Sequence, residues 1–339
     1  MNTKVFSGDD INSLYTKILA SLLNEAHNVT VRGQETLELP LTIVELTNLS
    51  RNIVTKSSRR LNPIFMAAEF LWLFSGSNDL AMISYYNKNM SKYSDDGIIL
   101  RGAYGPRLRD WYGKDQLLLA LNKLRQDKSS RQAVLQIFDP AQDYEVSKDI
   151  PCNTLLKFQI RENRLNMSVF VRSQDIIYGF PYDLFHWTML QEIFASMLSV
   201  ELGCYYHIMD SLHLYCRDID LALKIACDNN DEINWIRPCI CKKIDSYAAF
   251  LAELSFLTTL DYKLRRDSSY LTSFFYDTLL LGNSSCIFRD FERLLILNAI
   301  RKNKPFNYEN YVGIFESLRE PFQGMASELW PLKNLRELV

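Results

Sequence analysis

Histidine is scarce in this chain, with four in 339 residues, and the seven cysteines follow no framework spacing. Cys239-Ile240-Cys241 is the only close cysteine pair. With no second pair and so few imidazoles, no metal site is expected there. Irregular thiols fit a reduced, cytosolic protein better than a disulfide scaffold. Long apolar runs are missing too. No window approaches the roughly 18 apolar residues of a membrane span, and the opening Met1-Asn2-Thr3-Lys4 has no apolar leader, so a cytoplasmic location is expected. Charge of one sign is not in excess. A net charge of −2 offers no basic face for duplex phosphates, so neither nucleic acid nor membrane is an expected partner. A small phosphorylated ligand stays open, because two or three local arginines suffice for it. No G-x-G-x-x-G or P-loop pattern signals a dinucleotide or ATP. No repeat, low-complexity tract or Pro/Gly/Ser linker divides the chain, so residues 1–339 are expected to form a single catalytic domain, mostly helical and divergent from about 245 onward.

The composition, 47% hydrophobic and 23% charged, is that of a soluble globular protein able to bury a substantial core. Helical spacing marks 10–27, 63–75 (from Asn62-Pro63 to a Gly76 stop), 115–126 and a long apolar stretch from Pro181 to about 199. Leu37 to Leu46 reads as extended but interrupted by Pro40, and 94–113 reads as a polar, Gly-rich connection. Ala133 to Phe138, Thr154 to Arg161, Leu165 to Val171 and Tyr205 to Leu214 read as strands, the middle two joined by a turn at Glu162-Asn163-Arg164. Helices follow at 217–228, 245–260 and 286–300. The fold expected is α+β, with helices packed on a mixed sheet.

Chemistry concentrates between 150 and 215. Cys152 follows Pro151 and directly precedes a strand, where a thiol projects from a rigid edge; its opposing reading is a buried structural cysteine. Arg172 ends the apolar run Leu165, Met167, Val169, Val171. It is either paired for structure or held for an anion, and as a nearby cation it is expected to lower the thiol pKa. Ser173 offers a hydroxyl to the same anion or is an ordinary turn residue. Asp183 stands in the first turn of the long helix, where the dipole alone favours an acid. Glu69, set among Ala67, Ala68, Phe70, Leu71 and Trp72, is either a carboxylate fitted by burial for proton transfer or one that faces water. His213 and Tyr215, two apart on a strand, share a face.

Together these pieces resemble thymidylate synthase and its pyrimidine-nucleotide hydroxymethylase relatives, from about Arg32 to Tyr215. Glu69-Phe70-Leu71-Trp72 with Ser75-Gly76, Ala103-Tyr104-Gly105 through Arg109-Asp110-Trp111, and Ser130-Arg131-Gln132 occur in family order. So do Pro151-Cys152 and Arg172-Ser173-Gln174-Asp175 with Gly179 and Pro181. Arg172 stands 20 positions and His213 61 positions after Cys152, as the family pattern expects. The resemblance implies a three-layer fold and a homodimer. It implies that Cys152 attacks C6 of a pyrimidine nucleoside monophosphate, whose C5 then takes a one-carbon unit from 5,10-methylenetetrahydrofolate, with no metal. Arg172 and Ser173 would bind the phosphate, helped by Arg131 from the other subunit and by Arg32. Glu69 would organise water and protons, Tyr104 would assist proton removal at C5, Asp175 and Gly179 would face the folate, and His213 and Tyr215 would hold the ribose.

The sequence departs from the synthases at Asp183, where they carry Asn. An amide matches N3–H and O4 of uracil, whereas a carboxylate only accepts and suits the amino edge of cytosine. The expected base is therefore that of a cytidylate (CMP or dCMP), and the resemblance implies that this exchange accompanies 5-hydroxymethylation, in which water completes the reaction. A thymidylate synthase and a non-catalytic nucleotide-binding regulator are the alternatives. Asn153 stands where synthases commonly carry His, and Gln132 where they carry a second Arg.

Overall fold

In chain order the elements of the computed structural model, which describes residues 3–228, 244–266, 286–302 and 307–332, begin with β1 (Lys4–Gly8), α1 (Ile11–Glu25), β2 (His27–Val31) and β3 (Gln34–Leu46). They continue through α2 (Pro63–Phe74), α3 (Leu80–Tyr86), α4 (Tyr104–Arg109), α5 (Gln116–Gln126), β4 (Val134–Gln136), β5 (Asn153–Arg161) and β6 (Arg164–Val171). After β7 (Gln174–Asp175), α6 (Phe180–Leu198) and β8 (Glu201–Tyr215) the chain is helical: α7 (Ile219–Ala226), α8 (Tyr247–Arg266), α9 (Cys286–Lys302), α10 (Tyr308–Ser317) and α11 (Phe322–Leu329). The fold is α+β. It divides into two compact units, Met1–Arg59 with Gly102–Arg237, and Arg60–Arg101 with Pro238–Val339.

The first unit is built on one mixed sheet in the order β1-β3-β8-β6-β5-β4, with β2 paired to β3 and β7 to β8. The hairpin β5–β6 turns through Glu162 and Asn163, both with positive φ (50° and 58°), the backbone twist that a two-residue hairpin requires. Along β6 the alternation is strict, with Leu165, Met167, Val169 and Val171 buried. α6 lies on β6 and β8 with its apolar residues buried, and it ends in a left-handed Ser199.

Two local readings change. Pro40 does not end β3; the strand runs on because the disturbance is confined to Leu41, which turns left-handed at φ 40°. Opposite it, pairing passes from Pro40–Ser211 to Thr42–Met209 around an exposed Asp210. The buried positions of β8 shift there from Tyr205, His207 and Met209 to Leu212 and Leu214. The connection 94–113 contains the helix α4, whose Gly105 and Pro106 read as loop signals but sit in the first turn, where proline is tolerated.

α4 is held by a buried ion pair. Arg107 donates to Asp143 through Nη1 at 2.5 Å and Nη2 at 2.7 Å, and Nη1 also reaches Ile137 O at 2.8 Å. Both side chains are fully buried. Asp143→Ala would strand the guanidinium, and a loss of about 3–5 kcal/mol is expected. Urea unfolding of the variant beside wild type measures it; a loss under about 1 kcal/mol would contradict the assignment.

The second unit is helical. Its core is aromatic, with Phe70, Phe74, Phe250, Phe288, Phe291 and Phe322 all buried and Phe70 4.5 Å from Phe74 and 5.2 Å from Phe291. Within α2 every residue except Glu69 is buried, which explains why this helix lacks a polar face. Cys239 and Cys241 fall outside the described residues. Among the described residues no group of His, Cys, Asp and Glu is arranged to hold a metal, and no helix is long and apolar enough to cross a membrane.

Candidate active site

Cys152 sits one residue before β5, and Arg172 one residue after β6, so the hairpin brings them side by side. Arg172 N donates to Cys152 O at 2.9 Å. The guanidinium clamps the approach to the thiol, with Nε on Pro151 O (2.9 Å) and Nη2 on Ile150 O (2.8 Å), and Nη2 lies 3.9 Å from Cys152 Sγ. Nη1 has no partner among the described residues. Ser173, half-buried, makes no side-chain hydrogen bond among them either.

The expected lowering of the thiol pKa is not what results. Burial pushes Cys152 up to about 11, Arg172 pulls the other way, and the negative charges of Asp183, Asp149 and Asp175 add to the rise. Removal from water outweighs one cation that is itself shared with two carbonyls.

Asp183 comes from the first turn of α6, where Gly179 O accepts from its N–H at 3.1 Å. Its Oδ2 receives Asn153 Nδ2 and Gln174 Nε2, each at 3.2 Å, while Oδ1 has no partner among the described residues. Burial raises Asp183 to about 6 despite those two donors, so the helix dipole does not decide its charge. The charge of Asp183 is felt at the Cys152 thiol, so the carboxyl and the thiol lie near each other. Tyr104, the first residue of α4, joins them. Burial holds its hydroxyl well above the ordinary value, reinforced by the charges of Asp183 and Cys152 and opposed by Asn153. Asn153 Oδ1 is buried without a hydrogen-bond partner among the described residues.

Asp175 spends Oδ1 on the backbone N–H groups of Ile177 (2.7 Å) and Tyr178 (3.1 Å). Burial raises its pKa, while those two bonds and the neighbouring His213 oppose the rise. On β8, His213 and Tyr215 meet edge to face with ring centres 5.2 Å apart. Burial lowers His213, while Asp175 pulls it up. Thus Cys152, Arg172, Asp183, Tyr104, Asp175 and His213 form one connected cluster. Arg32 and Arg131 are not part of it. Arg32 is exposed at the β2–β3 turn (φ 50°), and Arg131 lines an open cleft of about 550 Å³ with Lys128, Ser129, Arg161, Glu162 and Asn163. Glu69 belongs to the second unit, half-buried on α2.

Sequence reasoning passed over Gln174, His207 and Tyr205, and saw in Asn153 only a departure from pattern. The available signal was spacing: Tyr205 and His207 are two apart on one strand and so share its buried face.

The family model for thymidylate synthase matches residues 13–243. A deoxyuridylate hydroxymethyltransferase of Bacillus phage SP01 is 37% identical over 226 residues, 63% of this chain and 59% of that protein. One of Pseudomonas phage M6 is 30% identical over 301 residues, 87% of this chain and 82% of that protein. A putative thymidylate synthase of Methanosarcina barkeri is 33% identical over 124 residues, covering 36% of this chain and 57% of that protein.

Proposed function

The chain belongs to the thymidylate synthase family, and from that premise we propose that it is a folate-dependent hydroxymethylase of a pyrimidine nucleoside monophosphate. Cys152 adds to C6 of the base, and C5 becomes the carbon nucleophile. Methylenetetrahydrofolate supplies a one-carbon unit at the formaldehyde level and leaves as tetrahydrofolate. Water adds to the resulting C5 methylene, and loss of the Cys152 bond returns the 5-hydroxymethyl nucleotide. Arg172 Nη1 and Ser173 receive the phosphate, and Tyr104 handles the C5 proton. His213 with Tyr215 hold the ribose. Asp175 fits the folate, since Oδ1 is tied to its own turn and Oδ2 has no partner among the described residues; Gly179 keeps that approach low. Asn153 Oδ1, a buried acceptor without a partner among the described residues, suits the attacking water. Arg131 and Arg32 reach phosphate only from another subunit or after movement, so the active form is proposed to be a homodimer.

The base is read by Asp183, and the observation that carries the reading is its pair of amide donors on one carboxyl oxygen. Above its pKa of about 6 the group is an acceptor and fits cytidylate. A second reading, deoxyuridylate, draws on the names of the phage relatives and on the same titration, because a protonated Asp183 offers both donor and acceptor. Parallel incubations with CMP, dCMP, UMP and dUMP, each with methylenetetrahydrofolate, are decided by mass analysis. A hydroxymethyl cytidylate is the expected product. Hydroxymethyl uridylate alone would move the reading to the second base, and a methylated product with dihydrofolate would overturn the hydroxymethylase.

A further inference from the structure

Behind Asp183 runs a line of polar side chains that the one-carbon chemistry does not use. His207 Nε2 stands 3.0 Å from Gln174 Oε1, and His207 Nδ1 stands 2.6 Å from the Tyr205 hydroxyl. Gln174 in turn reaches Asp183 Oδ2 beside Asn153. Tyr205, His207, Gln174 and Asn153 are each at most 2% exposed.

Each link fixes the next. An ionised carboxylate only accepts, so the nitrogen of the Gln174 amide faces it and the oxygen faces His207. Nε2 of His207 must then carry the ring proton, Nδ1 must accept, and Tyr205 must donate. Burial keeps both ends in that state. It lowers His207 to about 3, leaving a neutral ring with one N–H, and holds the Tyr205 hydroxyl well above its ordinary value. Every proton in the line therefore points toward Asp183. Besides these, the titratable groups that face Asp183 are Tyr104 and Cys152. Gly179 belongs to the same arrangement. A Cβ there would stand 2.7 Å from Gln174 Nε2 and 3.2 Å from Asp175 O, so a side chain would push the amide away from the carboxyl.

We propose that the one-way chain Tyr205–His207–Gln174, with Asn153 beside it, sets the base specificity of this site by holding Asp183 Oδ2 as a saturated acceptor and leaving Oδ1 to accept from the base. Its members are positioning residues, and the inference rests on the reading of Asp183 as the base-reading group. A pyrimidine whose edge donates is selected, and one whose edge accepts is refused.

Two measurements test it on the full chain. The first is ¹⁵N spectroscopy of histidine-labelled protein without nucleotide; four imidazoles make assignment tractable. His207 is expected to be protonated on Nε2 and not to titrate between pH 5 and 8, and a proton on Nδ1 overturns the proposal. The second compares Gln174→Glu and Gly179→Ala with wild type, following the Asp183 carboxyl by ¹³C titration and kcat/KM for cytidylates and uridylates. Gln174→Glu removes the donor and sets two carboxyls against each other. The Asp183 midpoint should rise by a pH unit or more, and the cytidylate-to-uridylate ratio should fall at least tenfold. Gly179→Ala keeps every member of the chain and presses hardest on the Gln174 amide, so it should shift both readouts in the same direction even if Gln174→Glu fails to fold. Equal losses for both bases with an unmoved midpoint would mean a merely structural role and overturn the proposal. If wild type turns over no pyrimidine nucleotide, the functional reading fails by itself, and the carboxyl titration still decides the chain.

Discussion

Cys152→Ala is expected to lower turnover of the accepted nucleotide by on the order of 10⁴-fold or more, about 5 kcal/mol of barrier, because the proposed mechanism runs through a covalent bond from this thiol to C6. Nucleotide affinity should change only a few-fold, since the proposed phosphate contact of Arg172 is untouched and Asp183 keeps its two amide donors. Turnover within tenfold of wild type would remove the covalent step. The wild-type thiol adds a second signature. With its pKa pushed to about 11, it is almost wholly protonated near neutrality. Alkylation of Cys152 by iodoacetamide should therefore climb about tenfold per pH unit from pH 7 to 10, because only the thiolate reacts. A plateau below pH 8 would mean that Arg172 overcomes burial after all.

That thiol marks where the sequence stopped being legible. Period and turn chemistry are local, so β6 with its alternating Leu165, Met167, Val169 and Val171, the Glu162–Asn163 turn and the long helix α6 could be read directly. The nearness of Arg172 to Cys152 followed from a hairpin between two strands. The sign of the thiol shift did not follow, because it depends on how much water the folded chain removes, and a sequence gives the neighbours of a group but not its solvation. α4 was hidden by its Gly105 and Pro106, which carry the same signals whether they open a helix or fill a loop. His207 was hidden for another reason. A histidine in an apolar strand usually satisfies itself in the core, and only the bulge near Leu41 and Asp210 puts it on the α6 face of β8 while His213 faces away.

Asp183→Asn is expected to exchange the preferred base. The variant amide must turn its oxygen toward Asn153 Nδ2 and Gln174 Nε2, since its nitrogen there would oppose donor to donor. The NH₂ group is thereby presented to the base, where it matches O4 of uracil and clashes with the N4 amino group of cytosine. An unpaired polar contact in a desolvated site costs about 1–3 kcal/mol, so kcat/KM should fall roughly 5- to 150-fold for cytidylate and rise by a similar factor for uridylate. The pH profile supplies an independent sign. In wild type the acceptor is the ionised form of a carboxyl raised to about 6, so kcat/KM for cytidylate should climb with pH through about 6 and then level. For uridylate it should fall across the same interval, as the protonated form that offers a donor is lost. An amide has no proton to lose, and the Asn variant should lack this limb for both bases. Cytidylate preference surviving the substitution, with the limb near pH 6 still present, would assign base recognition to a group other than Asp183.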